Sequence, residues 1–423
     1  MTASESRPII VIGAGIVGAM TAFYLAKRGL EVLVIDAASR PAEVTSHANA
    51  GIIAVGHAKS WAGPGAPLQI LQALTGRSAS VVVTGRPDTA LMRWGLSFMM
   101  NCTTRAAVRN TGKLQALSRR SRELLPGVAE EVGLGDQMQL EAGLYIFQDH
   151  RQFDEYLHSL SSDDRKTLAP LDREELISLD PALAGIGHGL VGGLKSTLDA
   201  AGDCRLFTCR ALDHAGSRLG VRTLFGQKIT GFGVDGQTVH AVRVQNREIP
   251  CTAVVVAAGV ESTDLLRPLG VSPNIYPVKG YSGTWQITDP AAAPRLPYID
   301  ETNLLAVATY GGKLRATFLA EFAGKDRSLA PERTTHLQDY VCRHFGSAID
   351  PKSAEFWTGL RPSTPEGPPY LGRVRKVQNL WINSGHGQLG WTMALASAEY
   401  LAARISNDTP LLGSGCIDFR RAA

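Results

Sequence analysis

Three groups of residues in this 423-residue chain have the types and spacings that do chemistry. The first is Gly13-x-Gly15-x-x-Gly18, set between Ile9–Ile12 and a run from Ile16 to Lys27, with Asp36 eighteen positions after Gly18. Gly13 allows a tight turn, Gly15 lets backbone approach a pyrophosphate, and Gly18 lets the helix pack close to the strand. Free N–H groups and the positive end of the helix dipole then face the phosphates. Asp36 ends the Val32–Ile35 strand, where an acid accepts hydrogen bonds from an adenosine ribose and would repel the 2′-phosphate of NADP. The second group is Ser384-Gly-His-Gly-Gln-Leu-Gly-Trp-Thr392, a glycine-rich turn entering a helix and so a second anion-stabilising device. The third is Arg361 in Gly359-Leu-Arg-Pro-Ser-Thr-Pro-Glu-Gly367, read as a proline-rich loop presenting one guanidinium. Its planar fork binds a carboxylate bidentately, and a structural ion pair is the competing expectation.

One anion device on a pyrophosphate and another elsewhere suits a flavin dinucleotide. The second dipole then stabilises negative charge at the N1/C2=O edge of the reduced ring. The elements that must position these groups follow from apolar periodicity. Thr252 to Ala258 reads as a buried parallel strand closed by Gly259, and Asn379 to Asn383 as another before a helix from Trp391 to Ile405. Ala37 to Gly51, ending Thr-Ser-His-Ala-Asn-Ala-Gly, is too small and polar for a core strand. It reads equally as a cofactor-lining loop or an ordinary surface loop. Tyr276 to Ile287 and Leu304 to Glu321 alternate as antiparallel strands do, and Leu140 to Phe147 joins them. Helices are expected at Met92–Met100, Leu114–Val132, Asp203–Leu219 and Pro331–Phe345. The expected architecture is therefore α/β. A discontinuous nucleotide-binding domain spans 1–80, 200–270 and 355–423, and a second, α+β substrate domain of 81–199 and 271–354 is built on a mostly antiparallel sheet.

Composition excludes several classes. Hydrophobic residues are 44% and charged residues 19%, as in an ordinary globular enzyme. A net charge of +4, with no basic run carrying interleaved aromatics, gives no case for nucleic acid. The six cysteines are scattered, so neither a metal site nor a disulfide framework is expected and reduced thiols in the cytoplasm are the default. The first strand begins within about eight residues of the start, which leaves no room for a signal peptide. No stretch of about twenty apolar residues spans a membrane, and peripheral attachment at the inner face of the cytoplasmic membrane stays open. No Ser sits in a G-x-S-x-G elbow, which argues against a serine hydrolase.

These motifs, together with Trp61-x-x-Pro-Gly-x-Pro67, Gly202-Asp-Cys204 and Tyr276-Pro-Val-Lys-Gly-Tyr-Ser282, give a chain that resembles the FAD-dependent D-amino acid dehydrogenases, within the D-amino acid oxidase and glycine oxidase superfamily. The resemblance runs almost end to end and implies a Rossmann-like FAD-binding domain of glutathione-reductase type. It implies that Gly13, Ala14, Gly15, Ile16, Gly18 and Asp36 hold the ADP half of FAD. His47, Ala48, Asn49, Ala50 and Gly51 would line the isoalloxazine, Ile229 would meet the adenine, and Ala258 and Gly259 would lie near the pyrophosphate. Gly385, Gly387, Leu389, Gly390 and Thr392 would close around the pyrimidine edge, and Arg361 would grip the substrate carboxylate. His47, Tyr281, Tyr310 and His386 are the candidates for orienting the amine, although a structural role is as good an expectation for each histidine.

The implied activity is oxidative deamination of a D-amino acid, with hydride passing from Cα to flavin N5 and the imino acid hydrolysing to a 2-oxo acid and ammonia. A secondary amine such as D-hydroxyproline or an N-methyl amino acid is the alternative substrate, and a flavin-containing binding protein without turnover is the rival from another class. The electron acceptor, a membrane quinone or oxygen, is left open. Two departures bear on the pocket. Ala308-Thr-Tyr310 stands where family members often have Arg, and Lys195 stands where they often have His or Tyr. No cysteine lies in Ser384–Thr392, so the FAD is expected to be non-covalent.

Overall fold

The computed structural model describes residues 7–74, 81–84, 88–410 and 412. Cys416 and the outermost ends of the expected nucleotide-binding segments, 75–80 and 413–423, lie outside the described residues. Ile9–Ile12 pairs in parallel with Val32–Ile35 on one side and Ala253–Val256 on the other. Leu380–Ser384 and Arg222–Leu224 extend the parallel sheet outward, and antiparallel Tyr370–Arg373 closes one edge. The runs read as continuous and apolar are buried on both faces, as a helix-covered parallel sheet requires.

The helix Ile16–Lys27 covers this sheet and packs against Gly390–Ile405. That second helix is buried almost all round, from Trp391 to Ala403, so it needs a partner on its other side as well. Thr104–Glu131 supplies it. Leu114, Leu117, Leu125 and Val128 join the same core as Phe23, Phe207 and Leu401. This helix, expected within the 81–199 segment of the substrate domain, thus packs against the helices that cover the parallel sheet.

Nine described strands form a second, mixed sheet, mostly antiparallel. Its central hairpin is Leu305–Tyr310 and Lys313–Phe322, joined through Gly311 and Gly312, both at positive φ. Tyr276–Gln286 lies beside Lys313–Phe322, and Glu355–Ser363 forms the edge beyond it. Here the sequence reading is corrected. Gly359 to Ser363, the first half of the run read as a proline-rich loop, lie instead in the strand Glu355–Ser363 of this sheet. Pro362 is tolerated because an edge strand need not donate on its outer side, and it stands opposite Pro277, which also lacks an N–H.

The three strands expected from Val221 to Gln245 separate. Arg222–Leu224 joins the parallel sheet, whereas Ile229–Asp235, Thr238–Val244 and Arg247–Pro250 make a small antiparallel sheet of their own. No described helix is long and apolar enough to cross a membrane.

Candidate active site

The carboxyl ends of Ile9–Ile12, Val32–Ile35, Ala253–Val256 and Leu380–Ser384 meet in one crevice, the place where open parallel sheets bind ligands. Gly13, Asp36, Ala258, Gly259 and Gly385 all follow these ends directly. A Cβ on Gly18 would collide with the carbonyl of Gly13, so only glycine permits this close approach of helix to turn. Asp36 accepts from the N–H of Ala14 at 2.5 Å and of Ala38 at 2.7 Å, which fixes it at the rim. Burial holds its carboxyl above the usual range despite these bonds. Ile229 opens the strand two residues after Gln227, whose N–H donates to the Asp36 carbonyl.

The loop after Asp36 is tied down on two sides by adjacent residues. Ser46 Oγ accepts from Ile16 N at 3.1 Å, and Thr45 Oγ1 donates to the Leu360 carbonyl at 2.9 Å. It therefore bridges the crevice and the second sheet, and it is not an ordinary surface loop. Gly51 faces Tyr310 so closely that any side chain there would strike the phenol ring. Ala54 N donates to Thr392 Oγ1 at 3.1 Å, which brings the 390–405 helix N-terminus to the same place. Gly387–Leu389 forms the single turn that feeds this helix.

The face of the second sheet turned toward this loop follows from the register. Val278, Gly280, Ser282 and Thr284 stand opposite Arg361, Gly359, Trp357 and Glu355, and Ser282 and Thr284 stand opposite Thr317 and Arg315. Ala306, Ala308 and Tyr310 continue the same face. The His47 ring lies 5.9 Å from that of Trp357. The structure thus sets Arg361, His47, Tyr310 and the 48–51 loop along one face, with Tyr310 against Gly51 and Arg361 toward the other end of the strand.

Arg361 has an unusual seat. Its guanidinium lies over Gly280, where a Cβ would stand 2.5 Å from Nη2. Nη1 donates to the Leu319 carbonyl at 2.6 Å. Leu319 is a non-glycine residue at φ 71°, within a bulge where the pairing with Tyr276–Gln286 shifts register, and this left-handed turn aims its carbonyl at the guanidinium. Among the described residues Arg361 has no carboxylate partner. Burial lowers its pKa to about 10. A half-buried cation without a counter-charge still carries a desolvation cost, and a carboxylate ligand would supply the missing partner.

Other candidates stand elsewhere. Tyr281 points to the opposite face, 1% exposed, and donates to Glu321 Oε2 at 2.8 Å. Thr309 and Lys195 share that face in the register, and Thr309 Oγ1 donates to the Pro294 carbonyl. His386 is buried, its Nε2 is 3.1 Å from Ser397 Oγ, and desolvation drops it to about 3. It is therefore a neutral imidazole packed at the foot of the turn. One residue was missed: Arg315, 8% exposed, bonds Thr284 Oγ1 and the Asn49 carbonyl and lies 5.2 Å over the Tyr310 ring. The two-residue Gly311-Gly312 turn, which fixes Ala308 opposite Arg315, is the signal that could have found it.

Whether a flavin fits can be judged from unpartnered atoms. His47 Nδ1, Ser282 Oγ and the Tyr310 hydroxyl are buried polar atoms without partners, all on the face that borders the 47–51 loop. Burial also raises the Tyr310 phenol. Grouped on one side of the loop, these atoms offer hydrogen bonds to a bound ligand. Together with the two glycine turns they suit a dinucleotide whose ring lies between loop and sheet.

The comparisons with known proteins agree. The model of the FAD dependent oxidoreductase family matches residues 8–404. The D-amino acid dehydrogenase of Azorhizobium caulinodans is 36% identical over 415 residues, covering 98% of this chain and 99% of that protein. That of Phenylobacterium zucineum is 38% identical over 411 residues, covering 96% and 95%. The glycine oxidase of Geobacillus kaustophilus superposes with a TM-score of 0.73 over 99% of both chains at 18% identity, a likeness of fold. The chain belongs to the FAD dependent oxidoreductase family. It is an FAD-dependent enzyme with the fold of that family.

Proposed function

We propose that the protein oxidises a D-amino acid to the corresponding imino acid, which water converts to a 2-oxo acid and ammonia. The observation that carries this is Arg361, a half-buried guanidinium with a carbonyl neighbour and no carboxylate among the described residues, on the sheet face that meets the 37–51 loop. The relatives named D-amino acid dehydrogenase support the extension to this chain. The parallel-sheet half, with Gly13, Ala14, Gly15, Ile16, Gly18 and Asp36, holds the ADP portion. The strands of 276–363 hold the substrate.

Arg361 grips the substrate carboxylate through two parallel N–H···O bonds and so fixes the Cα–H direction. Tyr310, with its hydroxyl unpartnered and its proton held by burial, stands at the Arg315 end of the face, against Gly51, where it can orient the amine. His47 is held below its usual pKa by desolvation and by the nearby Arg205 and Arg315, so it stays neutral and accepts an amine proton at Nδ1. Bound in the crevice, FAD supplies the hydride acceptor. Gly280 and Gly359 make room for the Arg361 guanidinium and the Trp357 indole, and alanines 306 and 308 keep the neighbouring strand low. Cys204, the described cysteine nearest the loop, is pushed up to about 12 by burial, which keeps it a thiol and supports non-covalent FAD.

The acceptor we infer is a quinone met at a membrane surface. On the helix Thr89–Asn101, Trp94 and Phe98 pack inward, while Met92, Leu96, Met99 and Met100 are exposed on another face, with Leu68 exposed on the neighbouring helix. Arg93, Arg105 and Arg109 are exposed nearby. An apolar stripe with basic neighbours suits an anionic bilayer. Flotation with anionic vesicles, weakened by Leu96→Glu, tests this part. The central test is anaerobic addition of D- and L-amino acids and D-hydroxyproline to the holoenzyme. Bleaching by D-amino acids alone is expected, and bleaching by none of them overturns the reading.

A further inference from the structure

Arg315 is the second guanidinium on the site face, and it too lacks a carboxylate partner among the described residues. Its Nε donates to Thr284 Oγ1 at 2.9 Å and its Nη1 to the Asn49 carbonyl at 3.3 Å, both neutral acceptors. A guanidinium carries five N–H donors, so most of its capacity is uncommitted. The Tyr310 ring beneath it fixes its plane.

Between Arg315 and Arg361 the two central strands present only small residues, and the Trp357 indole, lying over Gly359, walls the trough on the edge-strand side. Gly280, Ser282 and Thr284 form one row, with Thr317 and Ala308 beside it. The Arg361 guanidinium sits over Gly280, and Arg315 is bonded to Thr284, four residues further along the same strand. Four residues of extended strand span about 14 Å. A bidentate carboxylate–guanidinium contact occupies about 4 Å at each end, leaving about 6 Å between two carboxyl carbons. That is the length of an extended diacid of five or six carbons.

We propose that Arg315 is a specificity-determining residue that binds the side-chain carboxylate of a D-2-amino diacid whose α-carboxylate is held by Arg361. The small-residue trough sets its length, so D-glutamate and D-2-aminoadipate fit. Arg315 adds no step to the oxidation. It pairs with an anion that a neutral substrate lacks, and it leaves the Cα–N chemistry to the groups already described. The inference rests on the D-amino acid reading of the same site.

The test compares kcat/KM for D-glutamate with that for its neutral analogue D-norvaline. In the native holoenzyme D-glutamate is the better substrate, and Arg315→Met lowers the D-glutamate to D-norvaline ratio about 30-fold, the loss of one charge-assisted contact. Ala308→Glu gives a second route to the same ratio. It sets a carboxylate directly opposite Arg315 in the hairpin and competes with the diacid. A binding readout needs no turnover: glutarate perturbs the visible flavin spectrum at a concentration at least about tenfold lower than butyrate, and Arg315→Met abolishes the difference. Equal affinity for glutarate and butyrate, or a ratio unchanged in both variants, overturns the proposal. If D-norvaline bleaches the flavin and D-glutamate does not, the diacid inference falls while the D-amino acid reading stands. Failure of every D-amino acid to bleach it overturns that reading.

Discussion

The strand Tyr276–Gln286 carries two opposite treatments of buried charge on its two faces. On the back face Lys279 is 1% exposed, yet its ammonium reaches Asp326 at 2.7 Å and lies 3.8 Å from Glu321. Burial opposes its charge, but the bonds to Asp326 and Tyr281 outweigh it and hold its pKa above the usual range. Asp326 is held down at about 2 in return. On the front face, Arg361 opposite Val278 and Arg315 opposite Thr284, each on a neighbouring strand, have only neutral acceptors. A paired buried ion serves the fold, whereas an unpaired one is retained for a partner that arrives later. The strand's alternation keeps the two sets from neutralising each other.

The sharpest way to break this contrast is Arg361→Met. Removing a half-buried charged anchor lowers kcat/KM for D-amino acids about a thousandfold, read as the rate of anaerobic flavin reduction. A loss under about tenfold would make Arg361 a structural group like Lys279.

Gly280→Ala tests the seat instead of the charge. The new Cβ would lie 2.5 Å from Arg361 Nη2 and force the guanidinium aside. A displacement of about 1 Å costs about a hundredfold in rate, with KM rising and the flavin spectrum unchanged. Gly283→Ala is the matched control on the back face. There the Cβ meets Trp285 and Phe356, so the melting temperature falls without a selective rise in KM.

Lys279→Met breaks the back face. It leaves Glu321 buried, with only the hydroxyls of Thr84 and Tyr281 to bond it. Stability falls by about 3 kcal/mol, measured by chemical denaturation, and the affinity of the folded enzyme for carboxylates changes little. If the affinity for butyrate collapses as well, the bulge at Leu319 depends on this pair and the two faces are one device.

How much of this could be read from the chain depends on how local each feature is. The Ile9–Asp36 unit was legible in full because strand, turn and helix follow each other directly. Arg361 was legible as a guanidinium in search of an anion but not as part of a strand. Pro362 argues against a strand until one knows that the strand lies at an edge. Tyr281 went to the wrong face because alternation gives parity without saying which parity faces the ligand. His386 was drawn in by its glycine neighbours, yet only the fold shows its ring closed off against Ser397. The 104–131 helix carries an ordinary apolar stripe, and nothing local tells it which domain to cover. Arg315 shows the reverse: its placement follows from hairpin register, a rule available from sequence once the Gly311-Gly312 turn is recognised.

The smallest effect separates the two faces by titration. Arg361 is lowered to about 10 by burial, so its charge is complete at neutral pH and is lost as the pH rises through that value. Lys279 is shifted in the opposite direction by its partners, so the back-face pairing persists over the same interval. A simple carboxylate such as butyrate carries no amine and stays ionised throughout. Its Kd is therefore flat up to about pH 9.5 and then rises, approaching tenfold per pH unit above about 10 as the guanidinium loses its proton. Circular dichroism over the same range confirms that the protein is still folded while the affinity falls. A Kd that stays flat to about pH 11.5 would mean that the Leu319 carbonyl and the bound anion keep the guanidinium charged, and the unpaired-cation account of the front face would then lose its main electrostatic support.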